Sequence, residues 1–590
     1  MLAVAGSFGS GLYLHLAVPL DSHTPDAVSH YPYLRDYLLE AFPRLASLQS
    51  SRLEVYFDPG YREGVDLSRV VRMWKQSGIR VVYAAAWEFQ PRYSFDYERL
   101  VQLAHQNGIA VYAWFVFPQV TPKMWAERPE CRQRTATGAD GNVGWRLQMN
   151  LEEPVCFQSA MDWMKGVLNA YDWDGVNLAE LNFDVDYHDY RRADRFVPMN
   201  DHVRSEFKQL AGFDPALLFD PRSPYYHPRN PGAWKKFQQY REDLVTELHR
   251  RVLKELQPFE QQRNWEVIVT MLDSLHSDYV HPALGVNSER IAGLMKEFDF
   301  TLQVEDPAEH WAGPPDRYLR FAQTYLRLVP DRSRLMFDIN VVDERSIEGT
   351  TLPSLLATGT ELARTAKAAA WVSGRVAIYA ENSVASQDWA LLGEALASQG
   401  QLEGTGRSWR IDSPIPTRVL PALEQSYVDG RFWPAASPEG VLLPAGRHEL
   451  SLDRPWYRFL ERGEMQTALL NLSADLLEAQ ASPAGIALRY SSPGRAVILL
   501  NQAPLEVRLE GEAANVPVHS GGGRWWLTAP RGEHSIEIIT TSQSGVVLNV
   551  WSWFSASAIS AYGALTTLLM MVIYAYIRLR RLVRRKGTTG

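Results

Sequence analysis

Leu53-Glu54-Val55-Tyr56-Phe57, Ile79-Arg80-Val81-Val82-Tyr83-Ala84-Ala85 and Ile109-Ala110-Val111-Tyr112-Ala113-Trp114-Phe115 are three short runs of β-branched and aromatic residues, each leading into a polar loop and then a helical pattern. Between the first and second, Asp66 stands where an N-cap is needed, residues 67–77 carry helical periodicity, and Gly78 supplies the residue that ends the helix. Between the second and third, Asp96 caps a helix through Gln106, and Gly108 terminates it. The same unit recurs with strands at 175–179, 267–271, 300–304, 335–339 and 376–379. Eight strand-then-helix units predict an α/β fold closed as a (β/α)8 barrel. An open doubly wound sheet is the alternative, but it usually needs fewer units and often starts with a glycine-rich phosphate turn, which does not follow the first strand here.

At 590 residues the chain exceeds what one core supports, so further domains are expected around the barrel, placed at 21–400. Residues 400–407 read as a polar linker, and the short alternating runs of 408–541, broken by Pro, Gly and charged turns, predict an antiparallel β-sandwich. The uncharged apolar run at 554–577 is long enough to cross a bilayer as a helix. Trp551 and Trp553 flank it on one side, and Arg578, Arg580, Arg581, Arg584, Arg585 and Lys586 on the other, which predicts a cytoplasmic tail at 578–590 and an extracytoplasmic barrel on a single-pass anchor. Residues 1–20 are apolar but lack the basic start of a secretory signal, so a truncated signal is expected there. A formal charge of −8, with the dense basic cluster confined to the tail, argues against a nucleic-acid partner. Cys131 and Cys156 are the only cysteines; they provide no zinc spacing, and an oxidising location would allow them to pair. Neither a metal nor a cofactor is expected.

In barrels of this kind the residues just after each strand gather at one mouth. Here they are acidic: Asp58, Glu88 beside Trp87, Glu180, Asp273, Glu305 with Asp306, Asp338, and Glu381. Some of these carboxylates are expected to be helix caps, since capping uses the same residue types. Others fit a definite chemistry. Breaking a glycosidic bond needs a proton for the leaving oxygen and a carboxylate, or a water it activates, facing the developing oxocarbenium centre; a crowded acidic mouth splits the pKa values of its members accordingly. Trp87, Trp114 and Trp311 lie at or beyond strand ends two, three and six, where rings stack on sugars.

The run Tyr171-Asp172-Trp173-Asp174-Gly175-Val176-Asn177-Leu178-Ala179-Glu180 resembles the segment Y-D-x-D-G-(I/V)-x-x-(D/H)-(D/E) of bacterial glycosyl-hydrolase-like barrel families, in which an acid closes the fourth strand. Residues 78–83 and 107–115 are similar to those families' second and third strands, and Tyr56-Phe57-Asp58-Pro59 is similar to the C-terminal hydrolase domain of periplasmic poly-N-acetylglucosamine deacetylases. The resemblance covers residues 50–190. It implies a glycosidase acting on a bacterial exopolysaccharide, with Glu180 as the strand-four acid. The chain departs from the pattern at Ala179-Glu180-Leu181, where those families carry two adjacent acids, so the partner must come from another strand: Asp338 first, then Asp273 and Glu305. Asp58, Trp87, Glu88, Trp114, Asn177, Trp311 and Glu381 form the expected substrate-facing set. The long insertion 181–234 is expected to form an extended loop over the mouth. A barrel that holds a glycan and guides its export, or a scaffold for exopolysaccharide synthesis or export proteins, are the alternative readings.

Overall fold

The computed structural model describes residues 3–9, 11–16, 46–86, 95–143, 146–184, 189–311, 313–341, 357, 359–420, 426–452 and 467–541. Eight parallel strands close a barrel: β1 (Leu53–Phe57), β2 (Ile79–Ala85), β3 (Ala110–Val116), β4 (Gly175–Ala179), β5 (Glu266–Leu272), β6 (Thr301–Glu305), β7 (Leu335–Asn340) and β8 (Val376–Tyr379), with β8 pairing back onto β1. Each strand lies within a residue or so of its sequence-based position, because the runs that predict them are buried on both faces. Asp66 caps the first helix through the Ser68 and Arg69 amides, and Asp96 caps the second through Arg99.

The pleat sorts side chains between two environments. Val267, Val269 and Met271 of β5, like Leu53, Val55 and Phe57 of β1, join the large outer core under the helices. Tyr56, Tyr83, Tyr112, Trp114, Ile268, Met336 and Ala377 fill the barrel's interior. Tyr56 packs edge-on against Tyr83 and Trp114 at 4.9 and 4.7 Å.

The chain beyond the barrel is antiparallel β structure. Residues 400–407, read as a linker, instead contain Gln401–Thr405, which pairs with Ser408–Ser413. A strand ahead of the barrel, Ser47–Ser50, pairs with Thr417–Leu420, a long-range join without a local signature. The sheet containing Leu469–Leu472, Ala496–Leu500 and Arg524–Ala529 covers the barrel's lower end, where Val497, Leu499 and Trp526 pack into the interior cluster. Ion pairs seal this seam. Arg495 binds Asp174, which is wholly buried and also accepts from the Val111 amide and His105, so the second acid of the Tyr171–Glu180 run is a structural anchor. Arg52 and Arg80 both reach Asp475.

The insertion 181–234 contains a helix, Asp201–Ala211, and leads into a 33-residue helix, Pro231–Arg263. Its aromatic side chains form a local core instead of an open loop: Tyr225 stacks on Phe213 at 4.2 Å, and His227 packs on Trp234. Cys131 and Cys156 are joined as a disulfide. The described part of the N-terminal segment is a hairpin of Ala3–Phe8 with Gly11–Leu16. The predicted span at 554–577 and its basic tail lie outside the described residues; among those described, no helix is long and apolar enough to cross a membrane.

Candidate active site

Register places the mouth's acids. Glu305 is the last residue of β6 and pairs directly with Asp338 of β7, so both point inward on neighbouring strands. One pleat step away from each, Gln303 and Asn340 point the same way, and Asn340 Nδ2 donates to Glu305 Oε1 at 3.3 Å. Glu180, immediately after β4, would face the outer core by strand alternation, since Ala179 takes the inward position. A left-handed backbone at Glu180, φ 50°, turns the chain there, and its amide is held by the Thr270 carbonyl at 3.1 Å. Such a conformation costs a non-glycine residue about 1–3 kcal/mol and is concentrated at functional sites. Arg146, from the long β3-to-helix loop, forms an ion pair with Glu180 at 2.5 Å and reaches Asp184 at 3.5 Å.

These groups act on one another. Burial pushes the Glu305 carboxyl up to about 8, and the charges of Glu180 and Asp306 add to this, against the Asn340 hydrogen bond and Arg146. Asp338 is raised well above the usual carboxylate range, by burial first and then by Glu305 and Asp306; among the described residues its Oδ1 has no hydrogen-bond partner. The inward pair therefore favours the protonated form beside the Glu180–Arg146 ion pair, which is the division an acid and a base require.

Below the mouth a closed hydrogen-bond circuit forms the floor. Gln303 and Asn177 donate to the Tyr56 hydroxyl at 2.5 and 3.0 Å, Thr270 donates to Asn177 Oδ1 at 2.9 Å, and Tyr56 meets Thr270 at 3.2 Å. Asn177, expected from the sequence to face the sugar, is a buried floor residue; Trp114 lies in the same layer against Tyr56.

The remaining candidates divide between rim and frame. Asp273, the first residue after β5, turns away from the mouth and is fully buried, accepting from Tyr325 at 2.6 Å and from the Leu275 amide at 2.9 Å and facing His276 at 2.8 Å, so it holds the following loop. Asp306 similarly faces outward to Arg317 at 2.8 Å. Asp58 continues the inward face of β1, where burial raises its carboxyl, and accepts from the Gly60 amide. Glu381, buried after β8 and raised for the same reason, is held by two hydrogen bonds from Arg62 at 2.6 and 2.9 Å. Trp311 is half-buried, its indole donating to the Asp306 carbonyl at 2.9 Å. Trp87 and Glu88 lie outside the described residues.

Arg146, Asp184, Asn340, Gln303 and Tyr56 belong to the site but escape strand-end reasoning. Strand alternation alone reaches Tyr56, Gln303 and Asn340, each two positions from an inward acid; Arg146 and Asp184 come from loops. Among the described residues no cluster of three or more His, Cys, Asp or Glu is arranged to hold a metal ion.

No protein-family model matches the chain, and no curated protein matches it. Solved structures that resemble it include the following three. The glycoside hydrolase domain of PgaB (BpsB) from Bordetella bronchiseptica is 14% identical, with 56% of this chain and 94% of that chain covered and a TM-score of 0.42. A β-galactosidase from the haloarchaeon Halorubrum lacusprofundi is 14% identical over 60% of this chain and 59% of its own, with a TM-score of 0.43. The spore cortex-lytic enzyme SleL of Bacillus megaterium is 8% identical over 59% of this chain and 75% of its own, with a TM-score of 0.34. The chain spans about three fifths of the β-galactosidase it matches. The (β/α)8 barrel is read from the chain's own closed ring of eight parallel strands.

Proposed function

We propose that this protein is a glycoside hydrolase acting on a bacterial exopolysaccharide outside the cytoplasm. The observation that carries the reading is the pairing of Glu305 with Asp338 on adjacent inward positions, both displaced toward the protonated form, beside a Glu180 carboxylate ion-paired with Arg146. In this mechanism the Glu305–Asp338 pair delivers a proton to the leaving glycosidic oxygen. Glu180 supplies the negative group, either attacking the anomeric carbon or activating a water for that attack. The floor of Tyr56, Asn177, Thr270 and Gln303 keeps the acids' strands in register while charge develops. The strand-four resemblance supports the same assignment of Glu180 and points to an exported polysaccharide.

The apolar run at 554–577 with its basic flank supports a single-pass membrane anchor with a cytoplasmic tail. The Cys131–Cys156 disulfide supports an oxidising compartment for the barrel. Proteins of exopolysaccharide synthesis or export are the partners such an anchor would meet.

A second reading, a barrel that guides a glycan without cutting it, is favoured by one observation: Ala179 occupies the inward position where the resembled families bear a further acid. The test for both is release of reducing ends from purified bacterial exopolysaccharides by the full chain, alongside Glu180→Gln and Asp338→Asn. Cleavage reduced at least about 100-fold in each variant establishes the hydrolase. Binding of a polymer with no cleavage by the unaltered protein replaces it with the guiding module.

A further inference from the structure

Glu180 and Asp184 share one arginine and take different parts of it. Arg146 Nη1 donates to Glu180 Oε2 at 2.5 Å, while Arg146 Nε lies 3.5 Å from Asp184 Oδ2. A guanidinium offers a carboxylate two parallel donors, and its strongest contacts use both. The contact with Glu180 uses one. Among the described residues no hydrogen bond reaches the other Glu180 oxygen, Oε1.

The backbone explains how Asp184 comes to stand there. Arg146 and Gln148 are two residues apart on one extended segment, so both side chains face the chain that leaves β4. That segment is tied on both sides, by the Val120 amide to the Leu147 carbonyl and by the Gln133 amide to the Gln148 carbonyl, each at 3.0 Å. Gln148 Oε1 accepts from the Asp184 amide at 3.1 Å, and its Nε2 donates to the Asp184 carbonyl at 3.5 Å. Residue 184 is therefore placed by its backbone, whatever its side chain, and its carboxylate, 6% exposed, is brought against the guanidinium. The other charges that act on Glu180 are carboxyls, Glu305 from β6 and Asp338 from β7; Arg146 is the one cation paired with it among the described residues.

We propose that Asp184 is a positioning residue for Glu180, acting through Arg146: by taking the Nε side it turns the guanidinium so that Nη1 alone meets Glu180, and Oε1 stays open to the sugar. The inference rests on the hydrolase reading above. Without the Asp184 carboxylate the guanidinium can turn and present two donors to Glu180, which covers both oxygens and withdraws them from the reacting carbon or its water.

The test uses the full chain with Asp184→Leu, the milder Asp184→Asn beside it, and each combined with Arg146→Lys. Asp184→Leu is expected to lower kcat for reducing-end release about tenfold or more with KM within about twofold. The acid side of the pH profile should move to lower pH by about one unit, since the lost negative charge and the added hydrogen bond both favour the charged form of Glu180. Arg146→Lys should recover part of the loss in either background, because an ammonium lacks the parallel fork. A loop that is merely loosened would lose activity without the shift and without the recovery, and that result overturns the inference, as does an acid side that moves upward. A structure of Asp184→Leu reads the contact without turnover: Arg146 on both Glu180 oxygens is expected, and a single Nη1 contact overturns the inference. If that double contact forms while the unaltered protein cuts no polymer, the hydrolase reading fails and the positioning of Arg146 by Asp184 stands.

Discussion

Arg375→Met at the lower end of the barrel is predicted to destabilise the fold in a pH-dependent way. Arg375 is buried and spans two buried carboxylates, donating to Glu54 at 2.8 and 3.2 Å and to Glu266 at 2.7 and 3.0 Å. Without it, Glu54 keeps Arg80 and Tyr83, whereas Glu266 keeps only the hydroxyls of Thr301 and Tyr112. Burial pushes the Glu266 carboxyl up, but the Arg375 charge and its hydrogen bonds outweigh this, so it lies below the usual range. Removing one partner of a buried pair costs about 3–5 kcal/mol because the other charge stays behind. That is a large share of the roughly 5–15 kcal/mol that holds a domain together, and lowers a urea midpoint by about 1–2 M at a slope near 3 kcal/mol/M.

The pH sign is the sharper part. In the parent, the depressed Glu266 contributes stability above its unfolded pKa, and this contribution fades as pH falls through the folded value. In the variant, burial without the cation raises the folded pKa above the unfolded one, so the protonated form fits and stability is lost as pH rises. The gap between parent and variant should therefore widen from pH 5 to pH 8, and Glu266→Gln in the Arg375→Met background should recover part of it. Urea unfolding followed by tryptophan fluorescence reads both. A gap under about 1 kcal/mol, or one that stays constant across that range, refutes the reasoning.

Two further outcomes are expected. If Glu305 is the proton donor, the pH profile of cleavage falls on the alkaline side near 8, since the acid form is lost as pH rises through that value; Asn340→Leu, which removes a bond to the charged form, should move this limb upward by about one pH unit, and an unmoved limb would dismiss Glu305 as the donor. Asp273→Asn should retain cleavage within about threefold but lose about 1–3 kcal/mol in denaturant unfolding, because it loosens the Tyr325, Leu275 and His276 contacts and touches no mouth group; loss of activity in a normally stable variant would return it to the catalytic set.

The sequence by itself determined the barrel, because the signals are local: two-sided apolar runs such as Ile79–Ala85 can be buried only inside a sheet covered by helices, and Asp66, Gly78, Asp96 and Gly108 mark the helix ends by their own backbone and side-chain chemistry. It also determined that acids cluster at strand ends. Which of them face the mouth was decided by tertiary structure. A strand end shifted by one residue reverses the face, which separates Asp338 and Glu305 from Asp273 and Asp306, and only the left-handed turn at Glu180 restores an acid that alternation would have sent outward. The arginines that set the charges come from afar: Arg146 reaches Glu180 across 34 residues of loop, helix and strand, and Arg495 reaches Asp174 from 321 residues away. Such pairings depend on where the closed barrel brings distant segments, a property that no local run of residues carries.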